Sequence, residues 1–371
     1  MSEVFFTNFR SRPGRSLPKK MELLVKAAGI GTLDCRDKFT AIKIHFGELG
    51  NMAFLRHNYA ARMVELLRQM GARTFLTDTN TLYSGSRSNA VDHLRTAFLN
   101  GYNPISVPGA PVIIADGLKG TDEVTVPIPQ GEYCKEALIA SGIAKADVLV
   151  TMTHFKGHEM SGFGGTLKNI GMGCASVAGK LHLHSDSKPV IEKNNCTGCR
   201  QCVKNCRHGA VTLDTQKTAV INYDLCVGCG QCVAVCQYDA ARAGAYSTTQ
   251  GLTAKISEYA WAVLQGKEHF HVSFIMTVSP HCDCWSMNDT PIVPDIGMLA
   301  SFDPLALDQA CFDMVKSARA VPGSMADPES TCTLEGEDKF SCVHPRTDGE
   351  FGLSHASKMK LGSRTYTLTE V

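Results

Sequence analysis

The chain has 371 residues, 44% of them hydrophobic, and a formal net charge of +1. That supports two or three domains with a sizeable core, and the absence of a basic stripe argues against nucleic acid as a partner. MSEVFFTNFR is not a secretory signal, and no stretch reaches the ~18 uninterrupted apolar residues of a membrane helix, so a cytoplasmic protein off the membrane is expected.

Strand-like and helix-like segments alternate from the start. Phe39 to Phe46 (FTAIKIHF) predicts a strand, with Lys43 and His45 on one face. Arg56 to Met70 is an amphipathic helix stopped by Gly71, and Arg73 to Thr79 is the next strand. Asn89 to Asn100 reads as a helix stopped by Gly101, Val112 to Ala115 as a strand, and Glu132 to Ser141 as a helix. Asp147 to Thr153 (DVLVTMT) is a buried strand. Downstream, Leu252 to Leu264 is helical and His271 to Val278 is a strand. Pro304 to Ser317 is a helix with Asp303 as N-cap. This predicts an α/β fold, a mostly parallel sheet with helices on both faces. One α/β domain is expected in two parts, 1–187 and 244–320, around a cysteine-rich module at 188–243. A partly irregular tail at 321–371 follows, with a strand near Arg364 to Leu368 and two cysteines, Cys332 and Cys342, expected to be free.

The module carries eight of the sixteen cysteines in two copies of C-x2-C-x2-C-x3-C. Zinc sites use pairs of C-x2-C, and disulfides need an oxidising compartment. Three thiolates at i, i+3 and i+6 wrap one 4Fe–4S cubane, and the fourth ligates the other cluster. Cys196, Cys199, Cys202 and Cys236 are therefore assigned to one cluster. Cys226, Cys229, Cys232 and Cys206 are assigned to the other. The module resembles bacterial two-cluster ferredoxins, with Gly198/Gly228 and Gln201/Gln231 matching inside the loops. Arg207 and Gln237 stand where that family usually has proline.

Between the strand at Asp147 and the module runs THFKGHEMSGFGGTLKNIGMGCASVAGKLHLH, with seven glycines, four histidines and three lysines. Glycines expose amides that can cradle an anion, and a loop after a parallel strand is where α/β sheets bind ligands. His154, Lys156, His158, Lys168 and His184 are the expected site residues, over a floor containing Gly162, Gly164 and Gly165. The spacing would place His154 and His158 on one helix face, and His182 and His184 on one strand face. No P-loop or Rossmann order occurs. Weaker candidates are Cys282 and Cys284, the strand end Thr77, Asp78 and Thr79, and Cys174, which reads as a small buried residue. Asp308 reads as solvated.

KIHFGE, TDTNTLYSG, HFKGHEMSGFGGTLKNIGMGC, the cysteine runs and SFDPLALD together resemble the domain-of-unknown-function family numbered 362, in its ferredoxin-containing form. The resemblance implies an iron–sulfur protein of anaerobes or archaea without an agreed reaction. GFGGTLK and the spacing His158-x9-Lys168-x15-His184 also resemble the catalytic segment of nickel-pincer lactate racemases. That likeness implies Lys168 as the tether, His184 as nickel ligand and His158 as acid/base. The earlier histidine motif of that family is not matched.

The expected function is redox: two 4Fe–4S clusters exchange electrons with a small molecule or partner protein at the glycine/histidine loop, which has room for a further metal or organic cofactor. The alternatives are a metal-dependent, racemase-like isomerase with structural or sensory clusters, and a non-catalytic electron carrier.

Overall fold

The computed structural model describes residues 2–184, 188–206, 208–226, 232, 235, 236, 238, 240–243, 247–327 and 338–371. Cys229 and Cys332 lie outside these residues, as do Arg207, Gly228, Gln231 and Gln237.

One sheet is built from β1 (Ser2–Asn8), β2 (Phe39–Ile44), β3 (Arg73–Asp78), β4 (Val112–Ile114), β5 (Val148–His154), β6 (Glu268–Ile275), β7 (Gly297–Ser301) and β8 (Tyr366–Glu370). Their order is β8-β1-β7-β6-β5-β2-β3-β4. Pairing is parallel throughout β6-β5-β2-β3-β4 and between β1 and β8. Only β7 runs antiparallel to its neighbours β1 and β6. β5 is central, and every one of its residues is buried, as expected for an apolar run covered on both faces. Its side chains alternate between two cores. Leu149 joins the core with Ile170, Ile256 and Phe312, while Val148, Val150 and Met152 join that with Leu24, Met63 and Val64. Helices Leu17–Ala27 and His57–Gln69 therefore cover one face. Thr166–Gly171, Ser247–Leu264 and Pro304–Ser317 cover the other.

β5 and β6, which flank residues 188–243 in the chain, are direct neighbours. The ends of that segment meet in an antiparallel pair, Pro189–Ile191 with Ala241–Ala243. Within it, Val211–Leu213 pairs with Ala219–Ile221, and Val211, Ala219, Ile221 and Ala241 form a small core with Cys202 and Cys232.

Several local expectations are corrected. Glu132 to Ser141 does not form the expected helix: Glu136–Ala140 is a strand paired with Glu123–Pro127. Tertiary pairing with the β-branched EVTVP segment overrides the helix propensity of its Glu, Ala and Leu. The Glu258 carboxylate holds the preceding turn by accepting from the amides of Glu132 (2.7 Å) and Cys134 (2.6 Å). The tail is more ordered than expected. Gly349–Lys358 is a helix capped by Asp348, whose Oδ1 accepts from Phe351 N at 2.9 Å. It buries Leu353 and Ala356 in the core, and β8 closes one edge of the sheet. Cys342 is not free but disulfide-bonded. β1, helix Leu17–Ala27 and β7 were not read from the sequence.

Candidate functional site

The carboxyl ends of β2, β3 and β5, with the loop after β6, surround a cavity of about 100 Å³. This is the crevice where parallel α/β sheets bind ligands. Lys156, His158, Gly164, Gly165, Lys168 and His184 line it, so most of the sequence-predicted residues converge. Lys43, His45, Asp78, Thr79, Cys282 and Cys284 join them.

His154 does not line the cavity. Its Nδ1 lies 2.8 Å from Asp283 Oδ1, and its Nε2 lies 2.8 Å from the Met276 carbonyl oxygen. Gly162 also stands apart. Its φ of +78° suits glycine, and a Cβ there would meet Gly349 and Thr347, so it packs the tail. Neither histidine spacing is used as anticipated. His154 ends β5, and Lys156–His158 forms a short hairpin with Gly162–Gly164. His182 and His184 lie on a helix, Val177–His184, so they point differently: His184 lines the cavity, whereas His182 Nδ1 meets Tyr259 OH at 2.9 Å.

Hydrogen bonds assign the three cavity imidazoles: His45 Nδ1 accepts from the Gly47 amide at 3.0 Å, so neutral His45 carries its proton on Nε2. His158 Nδ1 accepts from the amides of Met160 and Ser161, both at 3.1 Å, so neutral His158 carries its proton on Nε2. His184 Nδ1 donates to the Lys180 carbonyl at 2.9 Å, leaving Nε2 as an acceptor. Burial holds both neutral, pushing His158 well below its usual range and His184 down to about 4. Neutral His45 and His158 are therefore Nε2–H donors, and His184 is an Nε2 acceptor.

Most of its charged groups are paired. Lys43, Arg87, Lys156, Lys168 and Lys180 face Asp78 and Glu159. Lys43 Nζ is 2.9 Å from Asp78 Oδ1, Arg87 Nε is 3.0 Å from Glu48 Oε2, and Lys156 Nζ is 3.1 Å from Asp283 Oδ2. Burial lowers the Lys180 ammonium to about 8 despite Asp116 and Asp78 nearby. Lys168 has no carboxylate partner among the described residues; its Nζ stands 3.8 Å from Cys282 Sγ.

Asp308 is fully buried rather than solvated. It accepts from the amides of Thr166 (2.6 Å) and Leu167 (2.8 Å), fixing the helix that carries Lys168. A Cβ on Gly165 would come within 2.5 Å of Asp308 Oδ1, so only glycine fits there. Thr77 is buried away from the cavity, donating to the Ile113 carbonyl at 2.7 Å. Asp303 is the N-cap expected, accepting from Leu305 N and Ala306 N. Cys174 is a fully buried thiol, pushed up to about 12 by burial. Arg87, Tyr83, Lys180 and Glu159 went unread as site residues. The available signal was position, since Tyr83 and Arg87 follow the carboxyl end of β3.

In the cysteine segment, Cys196, Cys199, Cys202 and Cys236 line one cavity of about 20 Å³. Burial raises the Cys202 thiol, and nearby Cys199, Cys236 and Cys196 raise it further. Cys196 Sγ accepts from Ala219 N at 3.4 Å and Cys236 Sγ from Ala241 N at 3.3 Å. Gly198 has φ +67°, and a Cβ there would fall 2.5 Å from the Lys217 carbonyl oxygen. Cys206, Cys226 and Cys232 pack on the small core of the segment. No group of three or more His, Cys, Asp or Glu among the described residues is arranged for a single metal ion.

A second cavity joins the two parts of the molecule. Gln201, Asn205 and Val235 of the cysteine segment face Glu48, Tyr83, Cys284 and Trp285 across it. Tyr83 and Cys284 line this cavity and the main one alike. Ser84 Oγ donates to the Asn205 carbonyl at 3.2 Å, tying the parts together.

The chain belongs to the family described as Domain of unknown function (DUF362), which matches residues 40–313. No curated protein matches it in sequence. Among solved structures it is similar to the lactate racemase apoprotein from Thermoanaerobacterium thermosaccharolyticum, at 13% identity and a TM-score of 0.38, over 73% of this chain and 50% of that one. It is also similar to a structural-genomics protein from Thermotoga maritima, at 11% identity and a TM-score of 0.39, over 80% of this chain and 58% of that one. The chain thus spans half the length of the first and 58% of the second. No helix among the described residues is long and apolar enough to cross a membrane.

Proposed function

We propose that this protein is an iron–sulfur redox protein whose two cysteine runs hold two 4Fe–4S clusters beside a site for a small anionic molecule. The observation that carries this reading is the cavity lined by Cys196, Cys199, Cys202 and Cys236. Three of these thiols come from the first run and one from the second, the crossed set that the spacing assigns to one cubane. Amide donors to Cys196 and Cys236 sulfurs, and the apolar residues around them, suit thiolate ligands of such a cluster. When bound, the clusters would supply single electrons. The polypeptide contributes positioning. Lys168 offers an ammonium with no carboxylate partner among the described residues, His158 an Nε2–H donor and His184 an Nε2 acceptor. The second cavity brings the cysteine segment against the wall of the main one.

The test is the composition of anaerobically purified protein. About eight iron and eight acid-labile sulfide per chain are expected, with cubane EPR signals on reduction. Four or fewer irons after full reconstitution, or zinc in their place, would overturn the reading.

A second reading, a metal-dependent isomerase, is favoured by the meeting of His158, Lys168 and His184 on one cavity. It requires stoichiometric nickel and a covalent adduct on Lys168, both visible by elemental analysis and peptide mass spectrometry.

A further inference from the structure

Cys282 and Cys284 lie outside both cysteine runs, and their sulfurs share the wall of the main cavity. Asp283 between them turns the other way. It is fully buried, paired with His154 Nδ1 at 2.8 Å and Lys156 Nζ at 3.1 Å. Its own carbonyl accepts from Glu48 N at 3.0 Å, and Trp285 N donates to the Cys282 carbonyl at 3.1 Å. The main chain is thus pinned in a turn that keeps both thiols on one side. Lys168 Nζ stands 3.8 Å from Cys282 Sγ, and no carboxylate among the described residues pairs with it.

We infer that Cys282 and Cys284 are a redox-active dithiol that exchanges with a small anionic disulfide in the main cavity. The hydrogen bond from Cys284, helped by the Lys168 and Lys156 ammonium groups, favours the Cys282 thiolate, while the Cys284 thiol is pushed up and keeps its proton. Thiolate, not thiol, is the attacking form. Cys282 sulfur attacks one sulfur of the disulfide, a mixed disulfide forms, and the first small thiolate leaves. Cys284 then attacks Cys282 sulfur, closes the internal disulfide and expels the second small thiolate. The Cys284 proton goes to one of the two departing groups. The protein loses two electrons and the small disulfide gains them. Selection for an anion follows from Lys168 beside Cys282, since Lys43, Arg87 and Lys156 are already paired with Asp78, Glu48 and Asp283, and Lys168 has no carboxylate partner among the described residues.

The inference stands apart from the cluster reading. The full-length protein, prepared anaerobically and fully reduced, is mixed with oxidised glutathione, an anionic disulfide, or with cystamine, a cationic one. Peptides are then read by mass spectrometry, with iron measured on the same samples. The expected result is a Cys282–Cys284 disulfide with two glutathione released for each disulfide closed, formed at least about tenfold faster than with cystamine. Cys284→Ser should stop at the mixed disulfide on Cys282, and Cys282→Ser should release none. Cys284→Ala, which removes the hydrogen bond, should slow alkylation of Cys282 near pH 6 by about tenfold. Modification of Cys282 no faster than that of the buried Cys35, equal rates with both disulfides, or a mixed disulfide that never closes in the wild type would each overturn the inference. Iron loss with an intact Cys282–Cys284 couple would count against the cluster reading alone.

Discussion

Asp283 Oδ1 lies 2.8 Å from His154 Nδ1, and both side chains are buried. Lys156 Nζ completes the group at 3.1 Å from the other carboxylate oxygen. Burial alone would raise the Asp283 carboxyl, but His154 and Lys156 outweigh it and hold the group well below the usual carboxylate range. The pair binds the end of β5 to the loop that carries Cys282 and Cys284.

Replacing Asp283 with Asn should therefore cost about 3–5 kcal/mol, because it leaves Lys156 buried without its counter-charge. Urea unfolding followed by circular dichroism measures this. A loss under about 1 kcal/mol would mean the group does not hold the loop.

Lys168→Ala should behave differently. Lys168 has no carboxylate partner among the described residues, so its removal should shift the unfolding midpoint little. Binding of inorganic phosphate, followed by calorimetry, should weaken about tenfold or more with iron content unchanged. Wild-type affinity in the alanine variant would remove Lys168 from the site.

On the proposed cluster reading, in which Cys236 completes the set with Cys196, Cys199 and Cys202, Cys236→Ala should lower iron from about eight to about four per chain. Magnetic interaction between two reduced clusters should vanish from the EPR spectrum. Retention of full iron would show that Cys236 is not a ligand.

Asp308 gives a pH signature. Burial raises its carboxyl to about 6, although the amides of Leu167 and Thr166 pull it down. The folded state thus holds this proton more tightly than the unfolded chain, whose value is near ~4. Its contribution to stability is present below about pH 4 and is lost as pH rises through 6, by about 2–3 kcal/mol. The difference in unfolding free energy between wild type and Asp308→Asn should change over that window. A constant difference from pH 4 to 7 would contradict the burial argument.

His184 has the opposite sign. Burial lowers it to about 4, against ~6.5 when exposed. Its contribution is present above about pH 6.5 and lost as pH falls toward 4. His184→Gln should flatten the acid limb of the stability profile. NMR titration of the ring should show it neutral at pH 5.5, and a midpoint near 6.5 would refute this.

The strands FTAIKIHF and DVLVTMT were legible because their signal is local: apolar runs of strand length, with glycines after the neighbouring helices. The Pro304 helix was legible for the same reason, since Asp303 and Pro304 form a start signal within two adjacent residues. The histidine/lysine loop announced itself by composition, and most of its residues reached the cavity. His154 did not, because its destination depended on Asp283, which lies far along the chain. Asp308 looked like a surface residue of a helix until the fold placed the amides of Thr166 and Leu167 against it. Glu132 to Ser141 took the strand state because EVTVP was at hand to pair with it. The joining of Lys43, Asp78, Arg87, Lys168 and Cys282 around one cavity was decided only by the parallel order of β3, β2, β5 and β6. Parallel strands send the loops that follow them to the same edge of the sheet, and no local pattern in the chain records which loops will meet there.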